Sequence, residues 1–197
     1  TSSALRTAAE FFENPGIIEE SERMIARETK RICRKIEHYR AKFAGKRAAI
    51  FLNGASKAAS LIRASNELGI EVVIVGIRYG NWVDRQRIRN YIGRDAVDAN
   101  KLNPGDLGEL LSIENVDLII PGAEDQPAIR KLNIPICDIC HNRTSTFEGF
   151  DGMVNFAREI DIAINNRTEK PPARKKKTRG RPPCMAQKRG RSEPVEK

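Results

Sequence analysis

The sequence predicts an α/β fold: an open parallel sheet with helices on both faces, preceded by a long helix and followed by a disordered basic tail. Three observations carry that expectation. From Lys46 onward, short apolar runs of strand character alternate with helical stretches, the spacing of right-handed βαβ units whose strands are covered on both sides. Before Lys46, Ile18, Ile25, Ile32 and Tyr39 recur every seven residues on an otherwise charged stretch, with Ile36 and Phe43 on the same side. After Asn166 there are twelve Lys or Arg against three Glu, which is the whole net charge of +9. Residues 1–166 carry 23 charges of each sign, so the globular part has no basic character of its own. The expected division is a helical segment over 1–45, a Rossmann-like domain over 46–166 and the tail over 167–197.

In chain order, residues 2–13 are a short helix candidate closed by Asn14-Pro15-Gly16, a strong turn signal. A long helix from about Ile17 to Phe43 follows, its stripe expected to pack on the domain behind it. Cys33 falls beside the stripe and is expected to be half-buried filler. Arg47 to Leu52 reads as a strand, Ser56 to Leu68 as a helix and Glu71 to Val75 as a β-branched strand. A helix over Asp84 to Ile92, a short strand at Ala96 to Asp98 and a helix over Gly105 to Ser112 come next. Val116 to Ile120 is a buried strand, Asp125 to Leu132 a helix, Ile134 to Ile139 a strand and Phe150 to Ile164 a closing helix.

Length and composition set the limits. The 197 residues suffice for one domain with a real core plus appendages. Four cysteines without a secretory leader point to a reducing, cytoplasmic setting, where thiols are reactive groups or metal ligands rather than staples. No apolar run is long enough to span a membrane. The first residue is Thr, which fits a piece of a longer protein.

In an open parallel sheet, ligands bind beyond the carboxyl ends of the strands, which selects four loops. Asn53-Gly54-Ala55-Ser56 is a strand–Gly–helix turn that could offer backbone N–H groups to an anion, but it is not G-x-G-x-x-G and does not support dinucleotide binding. Gly76 to Trp82 brings Arg78, Tyr79 and the single Trp to the same rim. Pro121 to Asp125 adds the carboxylates of Glu124 and Asp125 near a helix start, where they complement the helix dipole. The fourth loop, Asp138 to Gly152, is the informative one.

Cys137-Asp138-Ile139-Cys140-His141 is literally C-x-x-C-H, the haem c attachment pattern. Its position at the end of a sheet strand, in a chain with no export signal, argues against haem. Strand alternation places Cys137 and Ile139 on one face and Asp138 and Cys140 on the other, which splits the two thiols. No second cysteine pair completes a zinc knuckle. Cys140 and His141 stand at the strand exit, where a thiolate or imidazole could reach iron or another soft metal.

Three blocks then carry a family resemblance: GKRAAIFLNGASKAASLIRASNELGIEVV, VDLIIPGAEDQPAIRKLNIPICDICHNR and FEGFDGMVNFAREIDIAINN. Together, from roughly Glu10 to Asn166, they resemble the C-terminal third of a nitrogenase component 1 subunit on the α-subunit side. GFDGMVNFAREID is the most specific part. That family includes catalytic chains, cofactor-assembly scaffold chains and nitrogenase-like reductases, and its full-length members have two more domains upstream. The resemblance implies an iron-sulfur cofactor, a second component 1 subunit in an α/β-type hetero-oligomer, and electrons from an ATP-dependent iron-sulfur reductase. The fragment alone is then expected to be catalytically silent.

The resemblance implies part of a nitrogenase-like oxidoreductase subunit forming one wall of an iron-sulfur cofactor or substrate site in an ATP-dependent reductase complex, with a cofactor-assembly scaffold without turnover as the alternative. At the loop after Ile139 the residues are closer to the scaffold chains. Counted without gaps, Cys140 occupies the position of the molybdenum-ligating His of the catalytic α chain, and His141 follows it. Scaffold-type chains have a polar residue, then His, and a loop of this shorter length. Ser56, beside Lys57, stands where the catalytic chain has a cofactor-contacting Arg, and Glu124 where it has a homocitrate-contacting Lys. Losing two cations and gaining a carboxylate argues against a homocitrate-bearing molybdenum cofactor and leaves open another iron-sulfur cluster or a tetrapyrrole substrate. The expected site is therefore Cys140 and His141 as metal ligands, with Gly54, Ser56, Tyr79, Glu124 and His141 around the cofactor. Gly149 and Gly152 are expected to let the loop backbone approach closely.

In the tail, Lys175 to Pro183 contains an R-G-R-P core resembling an AT-hook, echoed by Lys188-Arg189-Gly190-Arg191. Such a segment suits the narrow minor groove of A·T-rich DNA, giving a possible DNA contact. A solvated tail, or one docking on an acidic partner, is the alternative.

Overall fold

The structure is a computed structural model, and it describes residues 1–93, 96–99, 107–122, 132–139 and 146–166. Helix α1 (Ser2–Phe11) folds back on α2 (Pro15–Phe43). Pro15 opens α2 at a position that needs no N–H donor, and the Asn14 side chain accepts from the N–H groups of Gly16 and Ile17 at 2.9 and 3.4 Å. Arg40 and Lys42 suit the negative end of the helix, and Gly45, at φ 74°, lets the chain turn into the sheet.

The sheet is parallel, in the order β3-β2-β1-β4, with β1 at Arg47–Gly54, β2 at Glu71–Tyr79, β3 at Val97–Asp98 and β4 at Leu118–Ile120. Between them run α3 (Ala55–Glu67), α4 (Trp82–Arg89) and α5 (Leu107–Ile113), and α6 (Gly149–Asn165) closes the domain. The expected α/β class is thus what the chain adopts. Its helix Asp125 to Leu132 lies outside the described residues except for Leu132, as does the tail.

One expected strand is reduced. Ile134 to Ile139 makes a single parallel bridge, Ile136 opposite Ile119, with the Ile119 N–H donating to Pro135 O at 2.8 Å and the Cys137 N–H to Ile119 O at 2.9 Å. β4 spans only three residues, and Pro135 has no N–H to give, so no longer ladder forms.

Alternation sorts the side chains into two cores. Ala48, Ile50, Leu52, Val72, Val75, Ile77, Leu118 and Ile120 face α2, α3 and α6, meeting Ile36, Phe43, Ile62, Phe156 and Ile160. Ala49, Phe51, Val73, Ile74 and Ile119 face the other side, with Leu111 of α5. β2 keeps both sets in place only through a bulge: Ala48 pairs with Val72 but Ala49 pairs with Ile74, so Val73 is supernumerary.

α2 and α6 run alongside each other in the same direction. Arg31 donates to both carboxylate oxygens of Asp151 at 2.8 and 3.0 Å near the start of α6, and Lys42 pairs with Asp161 near its end. The seven-residue stripe buries Ile25, Ile32, Ile36 and Phe43, each fully buried aliphatic side chain contributing about 1.5–3 kcal/mol. Ile18, its first member, remains 38% exposed, and Cys33 is exposed rather than half-buried. A repeat in sequence fixes which face of a helix is apolar, but not how far along it a partner reaches.

Candidate functional site

Three strand ends form one rim. Consecutive strands step from β1 outward to β2 and β3, then the chain returns to place β4 on the other flank of β1. The point where the order reverses lies between the end of β1 and the end of β4, the place where such sheets open a crevice. Gly54 ends β1 there, and Pro121 and Gly122, both buried, leave β4.

Gly54 and Tyr79 are register partners, so the last residues of β1 and β2 stand side by side. Gly54 is exposed, and a Cβ built on it would meet nothing within 4 Å. It is the N-cap of α3 and offers no capping side chain; Ser56 in the first turn is exposed, its carbonyl accepting from the Ser60 hydroxyl at 3.2 Å. Tyr79 is 65% exposed and Trp82 72%.

The neighbouring loop is tightly built. The Asn81 side chain accepts from the Asp84 N–H at 2.9 Å while the Asp84 carboxylate accepts from the Asn81 N–H at 3.1 Å, a reciprocal cap that starts α4 two residues before the expected Asp84. A Cβ at Gly80 would lie 3.0 Å from that of Ala55, so the two loops touch.

On the far side, Cys137 is 1% exposed and Ile139 4% exposed, both in the core under α2, α3 and α6, while Asp138 is half-buried. Alternation from Cys137 to Ile139 is as the sequence predicts, and the Cys137 thiol belongs to the interior. Cys140, His141 and Glu124 lie outside the described residues. Among the described residues no group of three or more His, Cys, Asp or Glu is placed to hold a metal ion.

The return from the fourth loop rests on α6. A Cβ at Gly152 would fall 2.4 Å from the carbonyl carbon of Phe147 and 2.7 Å from its oxygen, so this position admits only glycine. Gly149 acts differently: it has open space but a φ of 75°. The Asn155 side-chain amide donates to Thr146 O at 2.9 Å, and the Phe147 and Phe156 rings meet edge to face. Sequence reasoning singled out the glycines here but missed Asn155 and the Arg31–Asp151 clamp, because nothing in the spacing of residues 31 and 151 announces that α2 passes beside α6. The clamp holds the Asp151 carboxyl below the usual carboxylate range, chiefly through the Arg31 hydrogen bonds.

The chain is thus of the doubly wound α/β class, whose sheets open a crevice at the carboxyl ends of their strands. Residues 1–165 match the family of nitrogenase component 1 type oxidoreductases, and the chain belongs to that family. It is 40% identical over 165 residues to the nitrogenase iron-molybdenum cofactor biosynthesis protein NifE of Methanosarcina barkeri, covering 84% of this chain and 36% of that protein. The protein of the same name from Clostridium pasteurianum is 32% identical over 166 residues, again covering 84% and 36%. The chain therefore spans little more than a third of the length of these relatives. The solved structure of nitrogenase Cp1 at pH 5 superposes with a TM-score of 0.68 over 87% of this chain and 41% of that one, at 18% identity, and shares the fold. Among the described residues no helix is long and apolar enough to cross a membrane.

Proposed function

We propose that this chain forms one wall of an iron-sulfur cofactor site in a nitrogenase component 1 type complex, and that the complex assembles a cofactor rather than turning over a substrate. The observation that carries the reading is the side-by-side placement of exposed Gly54 and Tyr79 on the rim of strand ends, Gly54 also bordering the β1–β4 gap where the strand order reverses. The names of the two sequence relatives above, both cofactor biosynthesis proteins, favour assembly over catalysis. In this reading Cys140 or His141 ligates or adjoins the cluster, since a thiolate binds soft iron and is deprotonated by it. In the same reading Ser56 and Glu124 contribute to the cofactor site, at sequence positions where a catalytic chain has cations. A second component 1 subunit and an ATP-dependent iron-sulfur reductase are the expected partners.

The test is to replace Cys140 and His141 separately in the full complex and to measure bound iron and reductive turnover. Loss of iron in either variant, with no substrate turnover by the unaltered complex, is the expected result. Unchanged iron in both variants ends the cofactor reading. Sustained turnover by the unaltered complex replaces assembly with a nitrogenase-like oxidoreductase.

A second reading concerns the tail alone and rests on the confinement of the whole net charge to residues 167–197. Its R-G-R-P core would bind A·T-rich duplex in a salt-dependent manner, lost on deletion after Asn166; no binding at low salt removes it.

A further inference from the structure

The α1–α2 hairpin ends in an apolar tip that the described residues leave uncovered. Phe11 and Phe12 are 83% and 64% exposed, with ring centroids 5.7 Å apart, and Ile17 and Ile18 in the first turn of α2 are 41% and 38% exposed. The tip is held rather than frayed: Asn14 caps α2, and the Arg6 guanidinium donates to both oxygens of Glu22 at 2.6 and 3.0 Å. It is also acidic. Residues 1–23 contain five Glu and two Arg, an excess of acid that remains after Glu22 pairs with Arg6 and Glu19 and Glu20 pair with Arg23 at 3.4 and 3.5 Å, whereas residues 24–47 contain nine Lys or Arg and two Glu. α2 thus carries opposite charge at its two ends, and an occupant of the tip must combine cations with groups that pack on aromatic rings.

We propose that this occupant is the chain's own tail, through Lys175 to Pro183. Charge is the first argument: the tail holds the net charge of +9, and the acidic end of the hairpin is its counterpart. Reach is the second. Lys42 donates to Asn165 at 3.4 Å, so the tail departs beside the last turn of α2. From Lys42 back to Ile17 is about 37 Å of helix at 1.5 Å per residue. An extended backbone covers that in about eleven residues at 3.3–3.6 Å each, which brings Lys177 to the tip. The basic half of α2 repels the tail along the way, and the tether keeps its effective concentration high at the acidic end. Arg179 and Arg181 then have two phenyl faces to stack on, and Pro182 and Pro183 an apolar floor. This inference is independent of the cofactor reading.

Carbodiimide coupling of the full chain, diluted and at low salt, followed by peptide mass mapping, tests it. The expected product joins Lys175, Lys176 or Lys177 to Glu10, Glu13, Glu19 or Glu20 within one chain. Its yield should fall several-fold in the Phe11→Ser/Phe12→Ser and Arg179→Ala/Arg181→Ala variants, the second of which leaves every described residue intact. It should also vanish in 1 M salt, where the screening length shrinks to about 3 Å. Tail lysines joined indiscriminately to carboxylates over the surface overturn the proposal, as does a yield indifferent to both variants. Links only between two chains overturn it in favour of a second copy as occupant.

Discussion

Phe51 on β1 and Gly76 on β2 are register partners, and the ring occupies the volume a side chain at 76 would need: a Cβ there would lie 2.7 Å from Phe51 Cδ1. The glycine is a hole in one strand filled by its neighbour. Gly76→Ala is expected to cost about 1–3 kcal/mol by overpacking. Phe51→Leu should relieve most of that penalty, so the two substitutions couple rather than add. Urea denaturation of both single variants and the double variant measures the coupling, and strict additivity would contradict the packing described.

Two other glycines should behave oppositely. At Gly152 the obstacle is the backbone of Phe147, which cannot move aside as a side chain can, so Gly152→Ala should destabilise by more than about 2 kcal/mol and free Thr146 from Asn155. Gly54 has an ordinary φ of −114° and open space, so Gly54→Ala should stay within about 0.5 kcal/mol of the parent. Thermal melts and amide exchange at Thr146 and Phe147 distinguish them.

Cys33 and Cys137 differ in access. In the native protein Cys33 should react promptly with a thiol reagent and Cys137 only on unfolding, which mass mapping of labelled peptides would read directly. Cys137→Ser, which buries a hydroxyl in an apolar core, should cost about 1–3 kcal/mol. Fast labelling of Cys137 in the folded chain would contradict its place in the interior.

The Arg31–Asp151 clamp gives a pH dependence of definite sign. Asp151 has its folded pKa lowered from the ordinary 3.8 by the Arg31 hydrogen bonds, and Glu28 is lowered too. Each contribution is complete above the unfolded carboxylate pKa and is lost as pH falls through the depressed folded value. The packing of α2 on α6 should therefore hold to below the ordinary carboxylate range and then weaken. In Arg31→Ala, carbon-detected titration should return Asp151 towards 3.8, and the clamp's contribution to acid stability should disappear.

The alternation of apolar runs made the sheet and its helices legible, because burial on both faces demands a continuous Val/Ile/Leu run such as Val72 to Val75. Boundaries shifted where a side chain decided them, as at Asn81, whose reciprocal cap with Asp84 is a local contest that no apolar periodicity reports. The stripe on α2 foretold Ile25, Ile32, Ile36 and Phe43 as core residues. It misjudged Cys33 and left Ile18 uncovered, since both depend on the partner's reach along the helix. At the rim, Gly54 and Tyr79 were expected in the loops beyond the strands, but β1 and β2 run on to include them, and their adjacency depends on an irregularity in pairing that has no sequence mark. Alternation put Cys137 and Ile139 on one face, but only the packing under α2, α3 and α6 shows that this face is the interior. The clamp between Arg31 and Asp151 joins residues 120 positions apart and is visible only once the helices lie together.

The supernumerary Val73 reaches further than its own strand. Were β1 and β2 paired in one unbroken frame from Ala48 and Val72 onward, the neighbour of Gly54 would be Arg78; displaced by one residue, it is Tyr79. A single unmatched amino acid near the foot of the sheet thus selects a phenol instead of a guanidinium at its mouth. Excising Val73 would smooth the strand and leave Gly54 beside Tyr79, whereas pairing Val73 with Ala49 would bring Arg78 there instead.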